Sequence, residues 1–192
     1  MTKGKACRVA VMLSIAAASS ACAGRANNEV WRPFAEWSYA TYIGTVIHES
    51  GWLFAAIESI HLLGLAALGG AILLVDLRLL GVGLKDEPIR ELAHQAQKVV
   101  VASLAVMLTT GALLYLSEAT KFYSVDFWSS AEFPFIYKML FLALALVFTF
   151  TVRRRALMSD APSAAGVRPL IALTSLLLWL GVAIGGRGIG FY

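Results

Sequence analysis

Four long apolar stretches, at about residues 52–75, 99–116, 135–152 and 169–184, constrain this chain more than any motif it carries. A hydrocarbon layer about 30 Å thick is crossed by roughly 20 helical residues, and the last, shorter stretch reaches if its ends adapt. Lipid offers no water to backbone amides, so each stretch must be helical. Short connections make neighbouring helices antiparallel. The expected fold is therefore all-α: an antiparallel four-helix transmembrane bundle preceded by an external interfacial segment over 24–51. Composition agrees, with 59% hydrophobic and only 15% charged residues, a balance foreign to soluble domains. At 192 residues little chain is left for a second, soluble domain.

Residues 1–23 read as a secretory signal peptide. Lys3, Lys5 and Arg8 form its basic start, 9–18 a short apolar core, and Ala21-Cys22-Ala23 a small-residue cleavage site. Both cysteines, Cys7 and Cys22, fall inside it. A cleaved chain would then have no thiol nucleophile, no disulfide framework and no CxxCH attachment of haem. Over 24–51 the aromatics Trp31, Phe34, Trp37, Tyr39 and Tyr42 are mixed with charges. About 34–49 suits a short helix at the interface, or a cap across the outer ends of the bundle.

A formal net charge of +4 would suit nucleic acid, but its distribution points to membrane orientation instead, and no nucleic-acid partner is expected. The first connection carries Arg78, Lys85, Arg90 and Lys98, and the third Arg153, Arg154, Arg155 and Arg168. The second has Lys121 against Glu118, Asp126 and Glu132. The positive-inside rule puts both basic connections in the cytoplasm. A bacterial inner-membrane protein is expected, with the mature N-terminus and the tail at 185–192 outside.

The spans hold few ionisable groups, and such groups are costly in lipid and face protein, water or a partner. Glu58 and His61 share a helical face in the first span. Glu58 lies roughly 9 Å and His61 roughly 13 Å inward from Trp52, and Lys138 about 5 Å inside the third span. These depths predict a Glu58–Lys138 ion pair, and a hydrogen bond to Thr109 or Thr110 of the second span is one role open to His61. His61 is also the candidate ligand for haem, and Glu58, His61 and His48 the candidate set for a metal. His94 lies about 20 Å away toward the other end and is not expected to share an iron with His61. Glu58-x-x-His61 has the spacing used in di-iron bundles, but the spans lack the remaining carboxylates and histidines. At the cytoplasmic end Asp76, beside Arg78, is expected to pair with one of Arg153, Arg154 and Arg155, a run that also suits anionic headgroups. Gly64, Gly69, Gly70 and Gly111 suit close helix approach. The aromatic run 122–128 reads as an interfacial belt, and Trp179 needs no cofactor to explain it. No catalytic constellation is present, so no catalytic residue is named.

Glu49-Ser50 with Trp52, Glu58 with His61 and Gly64, Gly70, and above all Asp76-Leu77-Arg78-Leu79-Leu80-Gly81 resemble a family of small bacterial membrane proteins, domain of unknown function 6644. The stretch 135–139, with Lys138, is similar to the start of that family's third helix. The resemblance covers about 34–184 and implies a multi-pass architecture, with no substrate or reaction attached. A looser similarity to copper-resistance and cytochrome b-like membrane domains implies haem or metal, but the paired intramembrane histidines are missing.

The functional expectation is an inner-membrane bundle without independent catalytic activity that assists, anchors or regulates a partner, its polar cluster structural or ligand-responsive. Its surroundings are the bilayer and either further copies or another membrane protein. A haem- or metal-binding electron-transfer subunit is the alternative, and a small-solute or proton pathway the third.

Overall fold

The structure is a computed structural model and describes residues 32–83, 86–122, 131–158 and 162–191. The expected signal peptide with its two cysteines, and most of the 122–128 aromatic run, lie outside the described residues. Every regular element described is helical. A short α1 over 32–39 leads into α2 (Tyr42–Glu49), α3 (Gly51–Leu79) and α4 (Ile89–Glu118), which ends in a 3-10 turn, Ala119–Phe122. Then come α5 (Glu132–Phe148), a π turn (Thr149–Arg153), α6 (Arg154–Met158) and α7 (Pro162–Ile189). Four of these helical runs are long and apolar enough to cross a membrane: Gly51–Leu79, Ile89–Phe122, Glu132–Met158 and Gly166–Ile189. The chain is a multi-pass membrane protein.

Each span is longer than its apolar window. The windows stop at charges, yet the helices run on past them, with Arg153 paired to Asp76 and Lys98 on an exposed face of α4. The largest extension is at the start of α4, which begins at Ile89 rather than 99, and at the C-terminus the expected tail at 185–192 is helical as far as Ile189.

Helix α3 packs along α4, α5 along α7, and α3 also meets α7. The pairings run in opposite directions, His61 with Thr110 and Leu79 near Ala93 on α3 and α4, Lys138 with Gly185 and Pro134 with Gly188 on α5 and α7. The α4 seam is built from Ser103, Thr110 and Ser117, all buried. Each hydroxyl donates back to a carbonyl of its own helix, at 2.6, 2.7 and 2.9 Å. Small residues without free polar groups let helices approach closely in lipid, where apolar burial gives no drive. Gly64 contributes similarly, as a Cβ there would stand 3.3 Å from Met107. Gly69 and Gly70, expected to do the same, meet nothing within 4 Å. Among the described residues α4 and α5 share no extended contact, so the bundle is open along one side.

The ends are fixed by polar chemistry. Asp76, fully buried on α3, accepts from Arg153 Nε at 2.8 Å, and Arg153 Nη2 donates to the Ile72 carbonyl at 3.3 Å. The π turn selects this arginine. Its wider turn shifts helix register, leaving Arg153 buried and Arg154 and Arg155 exposed. Arg78 does not join the pair and instead donates to the Glu87 carbonyl at 3.0 Å across the α3–α4 connection. That connection starts with a Schellman cap, Val82 N–H bonding to Leu77 O at 2.9 Å and Gly81 N–H to Arg78 O at 3.1 Å. Gly81 has φ 77°, a conformation that costs an L side chain about 1–2 kcal/mol. Gly81→Ala is accordingly expected to lower stability by about 1–2 kcal/mol, measured by thermal unfolding in detergent. No loss would mean the cap is dispensable.

At the other end α1 and α2 meet in a break at residues 40 and 41. Thr41 Oγ1 donates to the Ser38 carbonyl at 2.7 Å and accepts from Gly44 N–H at 3.2 Å. The single helix expected over 34–49 is thus two. Gly44 seats α2 against α4, for a Cβ there would come within 2.8 Å of Leu116 O.

Candidate functional site

The open side between α4 and α5 leads into a cavity of about 390 Å³. Leu104, Leu108 and Tyr115 of α4 form one wall and Phe135, Met139 and Leu142 of α5 the other. Helix α3 forms the back with His61, Leu65 and Leu68, and α7 contributes Trp179 and Val182. Phe34, Trp37 and Ser38 of α1 reach over the near end. Tyr115, Phe122 and Phe135 close that end of the cleft by ring packing, with centroids 4.5–5.6 Å apart. Leu108, Met139 and Trp37 line the cavity and are also well exposed, so its mouth faces the lipid side of the bundle.

Besides the Tyr115 hydroxyl and the Trp179 indole, His61, Lys138 and Ser38 bring polar groups to this lining. His61 Nδ1 lies 2.8 Å from Thr110 Oγ1, and the Thr110 hydroxyl donates to the Val106 carbonyl at 2.7 Å. With the hydroxyl proton so engaged, Oγ1 accepts from Nδ1–H, which assigns the tautomer. In the neutral ring Nε2 is then the acceptor, without a partner among the described residues. The imidazole has room because residue 111 is glycine, where a Cβ would stand 3.2 Å from His61 Cε1. Lys138 is half-buried on α5 and close enough to His61 for their charges to interact. Its side chain runs beside Gly186 of α7, where a Cβ would lie 3.7 Å from Nζ. Ser38 is 0% exposed, and its hydroxyl has no hydrogen-bond partner.

Some of the expected cluster assembles and some does not. His61, Thr110 and Lys138 come together. Glu58 is exposed on α3, and the expected Glu58–Lys138 pair does not form, because a similar depth in the membrane does not give the same direction around the helix. Thr109 points away from His61, donating to the Ala105 carbonyl at 2.9 Å on an exposed face. His48 is exposed on α2 with its ring edge-on to Tyr39 at 5.0 Å. Glu58, His61 and His48 therefore make no three-ligand set, and no metal-holding group of three or more occurs among the described residues. His94 sits on an exposed part of α4, roughly 24 Å along the helix from Thr110. Ser38 carried no signal in the sequence, and Gly111 was legible only as a packing residue. Trp179, read as needing no explanation, lines the cavity and donates from Nε1 to Thr149 Oγ1 at 3.2 Å, at the start of the π turn.

No curated protein and no solved structure matches the chain. One family model does, over residues 34–192, taking in every element from α2 to α7 and every cavity residue named above. The chain belongs to this family of unknown function, DUF6644.

Proposed function

We propose that the protein is a ligand-responsive membrane bundle that takes a lipophilic molecule from the bilayer into the cavity between α4 and α5, and so regulates or assists a membrane partner without catalysis of its own. The observation that carries this reading is the open α4–α5 side leading to a largely apolar cavity whose few polar side groups include His61 and Lys138. Sites for small molecules are apolar concavities of about 300–1,000 Å³ with a few orienting polar groups. By the positive-inside rule the arginine-rich end lies in the cytoplasm of a bacterial inner membrane and the cavity in the outer leaflet half.

The same reading includes a route by which the site signals. Trp179, on the cavity wall, bonds to Thr149, and the π turn that starts there carries Arg153 to Asp76. Ligand contact with the indole is thereby linked to the ion pair at the cytoplasmic end.

The test is photolabelling in nanodiscs with a neutral alkyl diazirine. Adducts are expected to concentrate on Leu104, Leu108, Met139 and Leu142, and to fall severalfold in Leu142→Trp, which fills the cavity. Labelling spread equally over lipid-facing residues such as Leu73 and Leu177 would overturn the reading. Electron transfer through haem or metal keeps one supporting feature, an imidazole whose Nδ1–H is held while Nε2 is unpartnered. A Soret band or stoichiometric metal in the purified protein, lost in His61→Ala, would put that reading first. A proton or solute pathway has less support, because Leu68, Ile72, Val100 and Trp179 form an apolar layer between the cavity groups and Asp76.

A further inference from the structure

Resting on the cavity reading above, we infer that the ligand is a single-chain aliphatic monocarboxylate, a molecule of the free fatty-acid class, held by its head at Lys138. None of the residues lining the cavity is acidic, and Lys138 has no ion-pair partner among the described residues. A cation on an apolar wall facing lipid is costly unless a negative charge meets it. A ligand carboxylate is the complement the chain itself does not supply. The Ser38 hydroxyl of α1, over the near end of the cavity, is fully buried and does not compete for Lys138.

The arrangement along the cavity fits an amphiphile. His61 and Gly111 stand at one level, a Cβ at Gly111 coming 3.2 Å from His61 Cε1, and Lys138 lines the same cavity from α5. On the side toward the middle of the bundle the walls are Leu65, Leu68, Leu104, Leu142 and Trp179, without an ionisable group. A carboxylate at Lys138 thus lays its chain down an apolar pouch that opens sideways to lipid. At about 390 Å³ the volume lies near the lower end of the range for ligand sites, about 300–1,000 Å³, which suits one chain. A neutral isoprenoid or alcohol would fill the pouch equally well but leave Lys138 unpaired.

The experiment is competition against the neutral diazirine probe, in phosphatidylcholine nanodiscs, by hexadecanoate and by hexadecanol at equal mole fraction in the bilayer. Hexadecanoate is expected to compete about tenfold more strongly, the factor equivalent to about 1.4 kcal/mol. In Lys138→Met the preference should shrink to about twofold or less while hexadecanol competes as before, and Lys138→Arg should retain it. Equal competition by the two in the wild type overturns the carboxylate assignment and leaves the cavity reading standing. Failure of the probe itself to label the cavity overturns both. The wild-type comparison decides the matter even if Lys138→Met does not fold.

Discussion

Asp76→Asn is expected to destabilise the protein by about 3–5 kcal/mol, the range for removing one partner of a buried ion pair. The substitution keeps the side-chain shape and takes away only the charge. Arg153, 3% exposed and with its Nε at 2.8 Å from Asp76 Oδ1, would then be a guanidinium in the bundle interior facing an amide. Ser175 of α7 lies beside the same carboxylate, buried and without a well-formed hydrogen bond of its own, so it offers no replacement charge. The loss should appear in thermal or denaturant unfolding of the protein in detergent. The reverse experiment separates stability from function: Asp76→Leu with Arg153→Met removes both charges, and buried pairs replaced by apolar residues are often neutral in stability. If the double variant folds like the wild type but no longer passes a ligand-induced change to the cytoplasmic end, the pair is a coupling element. An Asp76→Asn protein as stable as the wild type would show that the pair contributes nothing to holding α3, α5 and α7 together.

The same pair shows how far the sequence could be read. An acid and an arginine cluster at matching ends of two spans were enough to link α3 with the chain after the third span. They were not enough to choose among three consecutive arginines, because that depends on the π turn over Thr149–Arg153, and a one-residue change of register has no compositional mark. His61 with Thr110 was legible for a similar reason, as a histidine and a pair of threonines at like depth on neighbouring spans. Choosing Thr110 over Thr109 again needed the direction around the helix.

Depth without direction is also why Glu58 and Lys138 were paired in the reading and are apart in the structure. Both stand near the same level, but Glu58 is on an exposed face of α3. Span ends were underestimated wherever a charge stopped an apolar window, as at Glu132, which opens α5 in the structure and is 9% exposed. The cavity itself was out of reach. It results from the contact that α4 and α5 do not make, and a missing contact leaves no pattern in either helix. Only its individual side chains, His61 and Lys138, were identifiable as costly groups that required company.

Gly185→Ala and Gly186→Ala are expected to move stability in opposite directions, although the two glycines are adjacent in one helix. A Cβ at Gly185 would lie 2.9 Å from both Lys138 Cα and Cβ and 3.0 Å from Lys138 N. These are atoms of the opposing backbone and its first side-chain carbon, which cannot turn aside, so α5 and α7 must separate. The seam offers no slack elsewhere. A Cβ at Gly188 would come 2.9 Å from Pro134 Cβ, and one at Gly181 would run into the Phe141 ring. Overpacking of this kind costs about 1–3 kcal/mol. At Gly186 the nearest atoms are the far end of the Lys138 side chain, 3.7 Å away, which is ordinary contact. There alanine should be neutral or stabilising by up to about 1 kcal/mol, its helix-propensity advantage over glycine. Because Lys138 rides on the displaced stretch of α5, Gly185→Ala should also weaken hexadecanoate competition, whereas Gly186→Ala should leave it within about twofold, under 0.5 kcal/mol. The pair of unfolding curves is the measurement. Equal stability of the two variants would mean that α5 and α7 are not held at this distance by the glycine seam, and that the level of Lys138 in the cavity is set by something else.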